Sequence, residues 1–99
     1  MDVSTLTNNV IKNISIIPGI LGFCNIEKSN QEIKDSKSWS KAILLVINDE
    51  IINLNIAIII STDSTIKNIS KQIKEQLTFN FKKLGFKLGN INIYIKGVR

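Results

Sequence analysis

Histidine is absent from this sequence, and cysteine, proline, tryptophan, tyrosine and arginine each occur once. Without histidine, the usual neutral-pH general base and the commonest zinc ligand are both missing. Cys24 alone forms neither an internal disulfide nor a cysteine cluster, and a Cys–His nucleophile pair has no second member. The thiol is expected as a small buried hydrophobe. Arg99 is the one arginine, so the side chain that does most bidentate phosphate and base recognition is scarcely used. Only lysines, carboxylates or hydroxyls are left for catalysis, and no cluster of them marks a site. The chain therefore reads as non-enzymatic, with no catalytic residue, no cofactor, no metal and no small-molecule substrate.

Long hydrophobic runs are lacking too. The longest, Ala42–Ile47 and Ile56–Ile60, fall far short of the roughly 20 residues a membrane helix needs. Residues 1–10 carry no basic region followed by an apolar core, so no secretory signal is read there. A cytoplasmic location is expected, with contact to a membrane surface left open. At 99 residues, 43% apolar and 21% charged, the chain reads as one globular domain over residues 1–99.

What the sequence has in abundance is isoleucine, placed periodically. Leu6, Val10, Ile14 and Ile17 fall on one stripe of an amphipathic helix over 4–17, capped by Ser4 or Thr7 and stopped by Pro18-Gly19. Residues 19–24 read as a compact apolar turn. Residues 25–40 are polar, suited to a short helical turn or a mobile loop, with Trp39 closing the segment at the sheet margin. Residues 41–47 read as a buried strand, followed by a turn at Asn48-Asp49-Glu50. Alternation over 51–61 predicts a second strand, with Ile52, Leu54, Ile56, Ile58 and Ile60 on one face. A long helix is predicted over 65–84, capped by Asp63 or Ser64 and ended by Gly85, with Ile66, Ile69, Ile73, Leu77, Phe81 and Leu84 inward. Residues 90–96 alternate again, with Ile91, Ile93 and Ile95 inward.

The order is then α-β-β-α-β. The expected class is α+β: a two-layer α/β sandwich, with a three-stranded sheet carrying two helices on one face. The last strand can lie beside either of the first two, and the sequence leaves both open.

Charge is uneven. Residues 42–65 carry three acids and no base, whereas residues 66–99 carry eight bases and one acid, Glu75. Lys67, Lys71, Lys74 and Lys82 share a narrow arc of the long helix, and Phe79 points away from its apolar stripe. The arc suits a solvated face, or contacts to an acidic partner or an anionic surface; Phe79 would join such contacts. Nucleic-acid binding through phosphates is a weaker expectation. A second motif, Gly19-Ile20-Leu21-Gly22, matches the G-x-x-G loop with which KH domains clamp a nucleic-acid backbone, and supports an alternative reading as a KH-like RNA-binding domain. Its middle residues are apolar, and the same glycines suit a tight, closely packed turn.

Three stretches carry a family resemblance. Pro18-Gly19-Ile20 closes the first helix. Ile52-Asn53-Leu54-Asn55-Ile56-Ala57-Ile58 forms the alternating strand. The end runs from Gly85-Phe86 through Asn92-Ile93 to Gly97-Val98. Together, over about residues 6–99, they resemble the alkaline shock protein family of Gram-positive bacteria, the Gls-type envelope stress response proteins. Ser61-Thr62-Asp63 stands where the family often has Tyr-Gly, and Asn53 or Asn55 stands where it has aspartate. The resemblance implies a non-enzymatic interaction or scaffold protein of cell-envelope homeostasis, with protein partners near the membrane and a tendency to self-associate. It brings no catalytic residues.

Overall fold

The computed structural model describes residues 2–27 and 31–99. Helix α1 spans Val3–Ile14, and strand β1 spans Ile20–Phe23. A 3-10 helix over Ser36–Ala42 leads into β2, Ile43–Asn48, which turns directly into β3, Ile51–Ile60. Helix α2, Ile66–Lys83, then crosses to β4, Lys87–Val98. The class is α+β, as the periodicity predicts.

The helices are capped by residues other than the expected ones. Asp2 accepts the N–H of Thr5 at 2.8 Å, and Thr65 accepts that of Asn68 at 3.2 Å. These are the residues whose side-chain oxygens reach the first unpaired amides, so Ser4, Thr7, Asp63 and Ser64 do not serve as caps. α1 buries Leu6, Val10 and Ile14, and α2 buries Ile69, Ile73, Leu77 and Phe81. Both pack on one face of the sheet, against Ile43, Leu45, Ile52, Leu54, Ile56, Ile58 and Ile60. Each such side chain, fully buried, contributes about 1.5–3 kcal/mol of transfer free energy. Ile66 and Leu84, at the ends of the predicted stripe, are exposed: Ile66 is the first residue of α2 and Leu84 its C-cap.

The sheet corrects two expectations: it has four strands, and the order is α-β-β-β-α-β. The apolar turn predicted at 19–24 is mostly strand. The reason lies in the unequal lengths of β2 and β3. β2 pairs antiparallel with β3 only from Ile51 to Ile56. Beyond that point the buried backbone of β3 still requires hydrogen-bond partners. β1 supplies them, pairing antiparallel with Ile58–Ile60, and Cys24 extends it by donating its N–H to Ala57 O at 3.1 Å. β4 lies parallel to β3 along its whole length, from Ile51↔Lys87 to Ile60↔Val98. β1 and β2 therefore share one edge of β3 end to end, and β4 holds the other. Of the two placements left open for the last strand, it takes the one beside β3.

The polar segment contains the 3-10 helix, and Lys28, Ser29 and Asn30 of it lie outside the described residues. Trp39 packs on the margin of the core, its ring centroid 4.9 Å from that of Phe23, with Nε1–H donating to Ile33 O at 3.3 Å.

Candidate functional surfaces

Two faces of the described residues carry the groups singled out by their exposure. The first is the outer side of α2. Ile69, Ile73, Leu77 and Phe81 fix its rotation, and this turns Lys67, Lys71, Lys74 and Lys82 to solvent, where all four are exposed. The same rotation leaves Phe79 60% exposed, as its position off the stripe predicts. Lys83 Nζ sits 4.2 Å from the centre of the Phe79 ring, a cation–π contact that joins the ring to the basic face. Shallow depressions flank the ring. One is lined by Gln72, Glu75, Gln76 and Phe79, the other by Lys74, Glu75, Thr78, Phe79 and Lys82. The described residues hold one ion pair, between Arg99 and Glu32, and it uses none of the α2 lysines.

The second surface is the sheet face opposite the helices. Leu44, Val46, Ile51 and Tyr94 are exposed there. Between them runs a short ladder of amides. Asn53 Oδ1 accepts the N–H of Asn90 at 2.7 Å, and Asn92 Nδ2 donates to Asn55 Oδ1 at 2.8 Å. Alternation with the buried isoleucines places Asn53, Asn55 and Asn92 on the outward face, and the parallel register of β3 and β4 brings them side by side.

Cys24 is buried among Ala57, Ile59 and Ile26, as expected of a lone thiol. Burial, then the nearby Glu32 carboxylate, raises its pKa, which keeps it a neutral thiol. Glu32 pairs with Arg99, Arg99 Nη1 lying 3.2 Å from Oε2, and this hydrogen bond holds the Glu32 carboxyl below its ordinary range. The charge of Arg99 is thereby matched at home. Among the described residues no three His, Cys, Asp or Glu side chains gather where a metal ion could bind.

The Gly19–Gly22 segment lies where the chain enters the sheet. Gly19 sits at φ +97°, and a Cβ there would overlap the Ser64 hydroxyl and approach Ile69 Cδ1 to 2.8 Å. Gly22 is buried inside β1, paired with Ile59. The two glycines therefore do not bracket an exposed loop. They let the chain turn tightly under the start of α2 and enter the sheet, so the segment is strand rather than the helix-linking loop of a KH domain.

No family model, no curated protein and no solved structure matches the chain. No helix among the described residues is long and apolar enough to cross a membrane.

Proposed function

We propose that this chain is a non-enzymatic interaction protein of cell-envelope homeostasis, related to the Gls-type alkaline shock proteins, and that it binds an acidic, membrane-held protein partner through α2. The observation that carries the reading is the exposed row of Lys67, Lys71, Lys74 and Lys82, free of ion pairs among the described residues and joined by the exposed Phe79. A basic stripe beside one protruding aromatic suits an acidic protein surface, since the ring supplies contact area and the charges supply steering.

The sequence resemblance supports the envelope connection. One of its departures is mild in physical terms. Asn53 acts through its side-chain oxygen as an acceptor for the Asn90 N–H. A carboxylate at this position, one of the two at which the resemblance places aspartate, would accept the same bond. Asparagine thus replaces aspartate with the hydrogen bond retained and a charge removed.

The test is mild crosslinking in native cells followed by co-purification, comparing the natural chain with a variant in which the four α2 lysines are glutamine. The natural chain is expected to recover an envelope protein that the variant loses. Recovery of the same proteins by both, or of none from the envelope, overturns the reading.

A further inference from the structure

We propose that the outer edge of β4 is a self-complementary docking site at which a second copy of this chain adds antiparallel, centred on Ile93. The inference rests on the reading that the chain works through its surfaces, but it uses no residue of α2. It starts from the two irregularities in β4. Ile52 and Leu54 of β3 pair with Leu88 and Ile91, and Ile58 and Ile59 pair with Ile95 and Gly97. Each break inserts one extra residue into β4, a bulge. The stretch between the bulges is Ile91-Asn92-Ile93-Tyr94-Ile95.

The bulges decide which way the backbone faces. Before the first, Lys87 donates its N–H to Glu50 O, and after the second, Arg99 donates to Ile60 O, so odd-numbered residues face β3 at both ends. An inserted residue reverses that parity. On β3, Ala57 gives its carbonyl to the β1 side, which leaves the even-numbered residues of β3 to bond β4. Both lines of reasoning turn the N–H and C=O of Ile91, Ile93 and Ile95 toward the open edge.

The glycines and isoleucines of this edge are placed symmetrically about Ile93: Gly89-Asn90-Ile91-Asn92-Ile93-Tyr94-Ile95-Lys96-Gly97. Two copies placed antiparallel about Ile93 set Ile91 opposite Ile95, Asn92 opposite Tyr94, Asn90 opposite Lys96 and Gly89 opposite Gly97. No like charges oppose one another within this span. The bulges coincide, so neither copy presents its kink to a straight stretch of the other. The outward groups of the three isoleucines then form about six interchain hydrogen bonds. On the helix-covered face the half-buried Ile91, Ile93 and Ile95 of each copy cover those of the other. On the opposite face Asn92 meets the ring of Tyr94, which is 44% exposed in the single chain. A register shifted by two residues loses the match of the bulges. A strand pair of this length buries less than a standard protein interface, so the dimer is a concentration-dependent one.

Cysteine placement tests the register. In a Cys24→Ala background, Asn92→Cys and Tyr94→Cys are prepared separately and mixed under mild oxidation. Opposed residues of a non-hydrogen-bonded antiparallel pair lie close enough for a disulfide. The mixture is expected to give a 92–94 disulfide dimer well above the level of either variant alone. Dominant 92–92 or 94–94 dimers, or no dimer above background, overturn the proposal. Sedimentation of the natural chain over a concentration series provides the second measurement. Ile93→Pro removes an N–H that faces the open edge, a place where an edge strand accepts proline. It is expected to weaken dimerisation at least about tenfold with the circular dichroism spectrum unchanged. Equal dimerisation of a folded Ile93→Pro chain, or a natural chain that is monomeric at every concentration, refutes it. Both results are independent of whether α2 recovers an envelope partner.

Discussion

The side-chain oxygen of Asn53 accepts the backbone N–H of Asn90, 2.7 Å away across the parallel β3–β4 pair. Asn90 lies in the first bulge of β4, where the ladder leaves an amide without a backbone partner. Asn53 fills that vacancy, and so ties the register of β4 to one side chain of β3.

Replacing Asn53 by valine keeps a good strand former but removes the acceptor. It is expected to cost about 1 kcal/mol, since Asn90 is exposed and water recovers part of the bond. For a domain of this size that is a fall of about 4–8 °C in melting temperature. Asn53→Asp retains the acceptor and is expected to stay within about 0.5 kcal/mol of the natural chain in urea unfolding. Equal losses for both substitutions would show that the hydrogen bond is not what matters there.

The glycines of β4 separate in the same way. A Cβ at Gly89 would overlap Asn53 Oδ1 and approach Ile51 Cγ2 to 2.6 Å, whereas one at Gly97 would meet Ile59 Cγ1 at an ordinary 3.6 Å. Gly89→Ala must displace Asn53 from its bond, so a loss of about 1–3 kcal/mol is expected. Gly97→Ala is expected to be neutral or slightly stabilising, because it restricts the unfolded chain without a clash. Chemical denaturation of the two variants, side by side, checks the contrast.

Most of the fold is legible in the periodicity. Ile52, Leu54, Ile56, Ile58 and Ile60 alternate so regularly that β3 and its buried face follow directly, and Ile69, Ile73, Leu77 and Phe81 do the same for α2. β1 is not legible, because Ile20-Leu21-Gly22-Phe23 is too short to show a period beside Pro18-Gly19. Its strand state comes from the uncovered end of β3, a tertiary demand that local sequence does not express. The bulges escape for a related reason. Isoleucine alternates through Ile91, Ile93 and Ile95, but an extra residue at each end shows only when the strand is laid against its neighbour. On the candidate surfaces, helical spacing alone places the α2 lysines and Phe79 outside. The amide ladder and the open edge of β4 depend on which strands are neighbours.

Acid stability carries two localised contributions. The hydrogen bond from Arg99 lowers the Glu32 pKa, and the Thr5 N–H does the same for Asp2 at the cap of α1. A carboxyl whose pKa is lower in the folded than in the unfolded chain stabilises the fold above the unfolded value. That contribution disappears as pH falls through the folded value. The window therefore opens below about pH 4.3 for Glu32. Glu32→Gln is expected to lose little at acid pH relative to the natural chain and more at neutral pH, so its unfolding midpoint varies less over the acid range. Both partners of the pair are partly solvated, which keeps the effect small. Parallel curves for the two chains down to about pH 3 would remove Glu32 as the source.

Ionic strength separates the two proposed surfaces. Binding of an acidic partner through Lys67, Lys71, Lys74 and Lys82 draws on opposite charges in solvent, and salt at 0.15 M screens these beyond about 8 Å. Affinity is expected to fall with added salt, and most steeply for the natural chain, since each lysine-to-glutamine change removes one of the charges being screened. Phe79→Ala is expected to weaken the same binding with the melting temperature almost unchanged, because the ring is mostly exposed and its contact is with Lys83 on the surface. Pairing through β4 has the opposite dependence. Two copies of a chain with net charge +5 repel, so screening favours their approach. Titration of partner binding and sedimentation of the free chain, each at low and high salt, should move in opposite directions. If the two move together, one surface accounts for both associations, and the division between α2 and β4 fails.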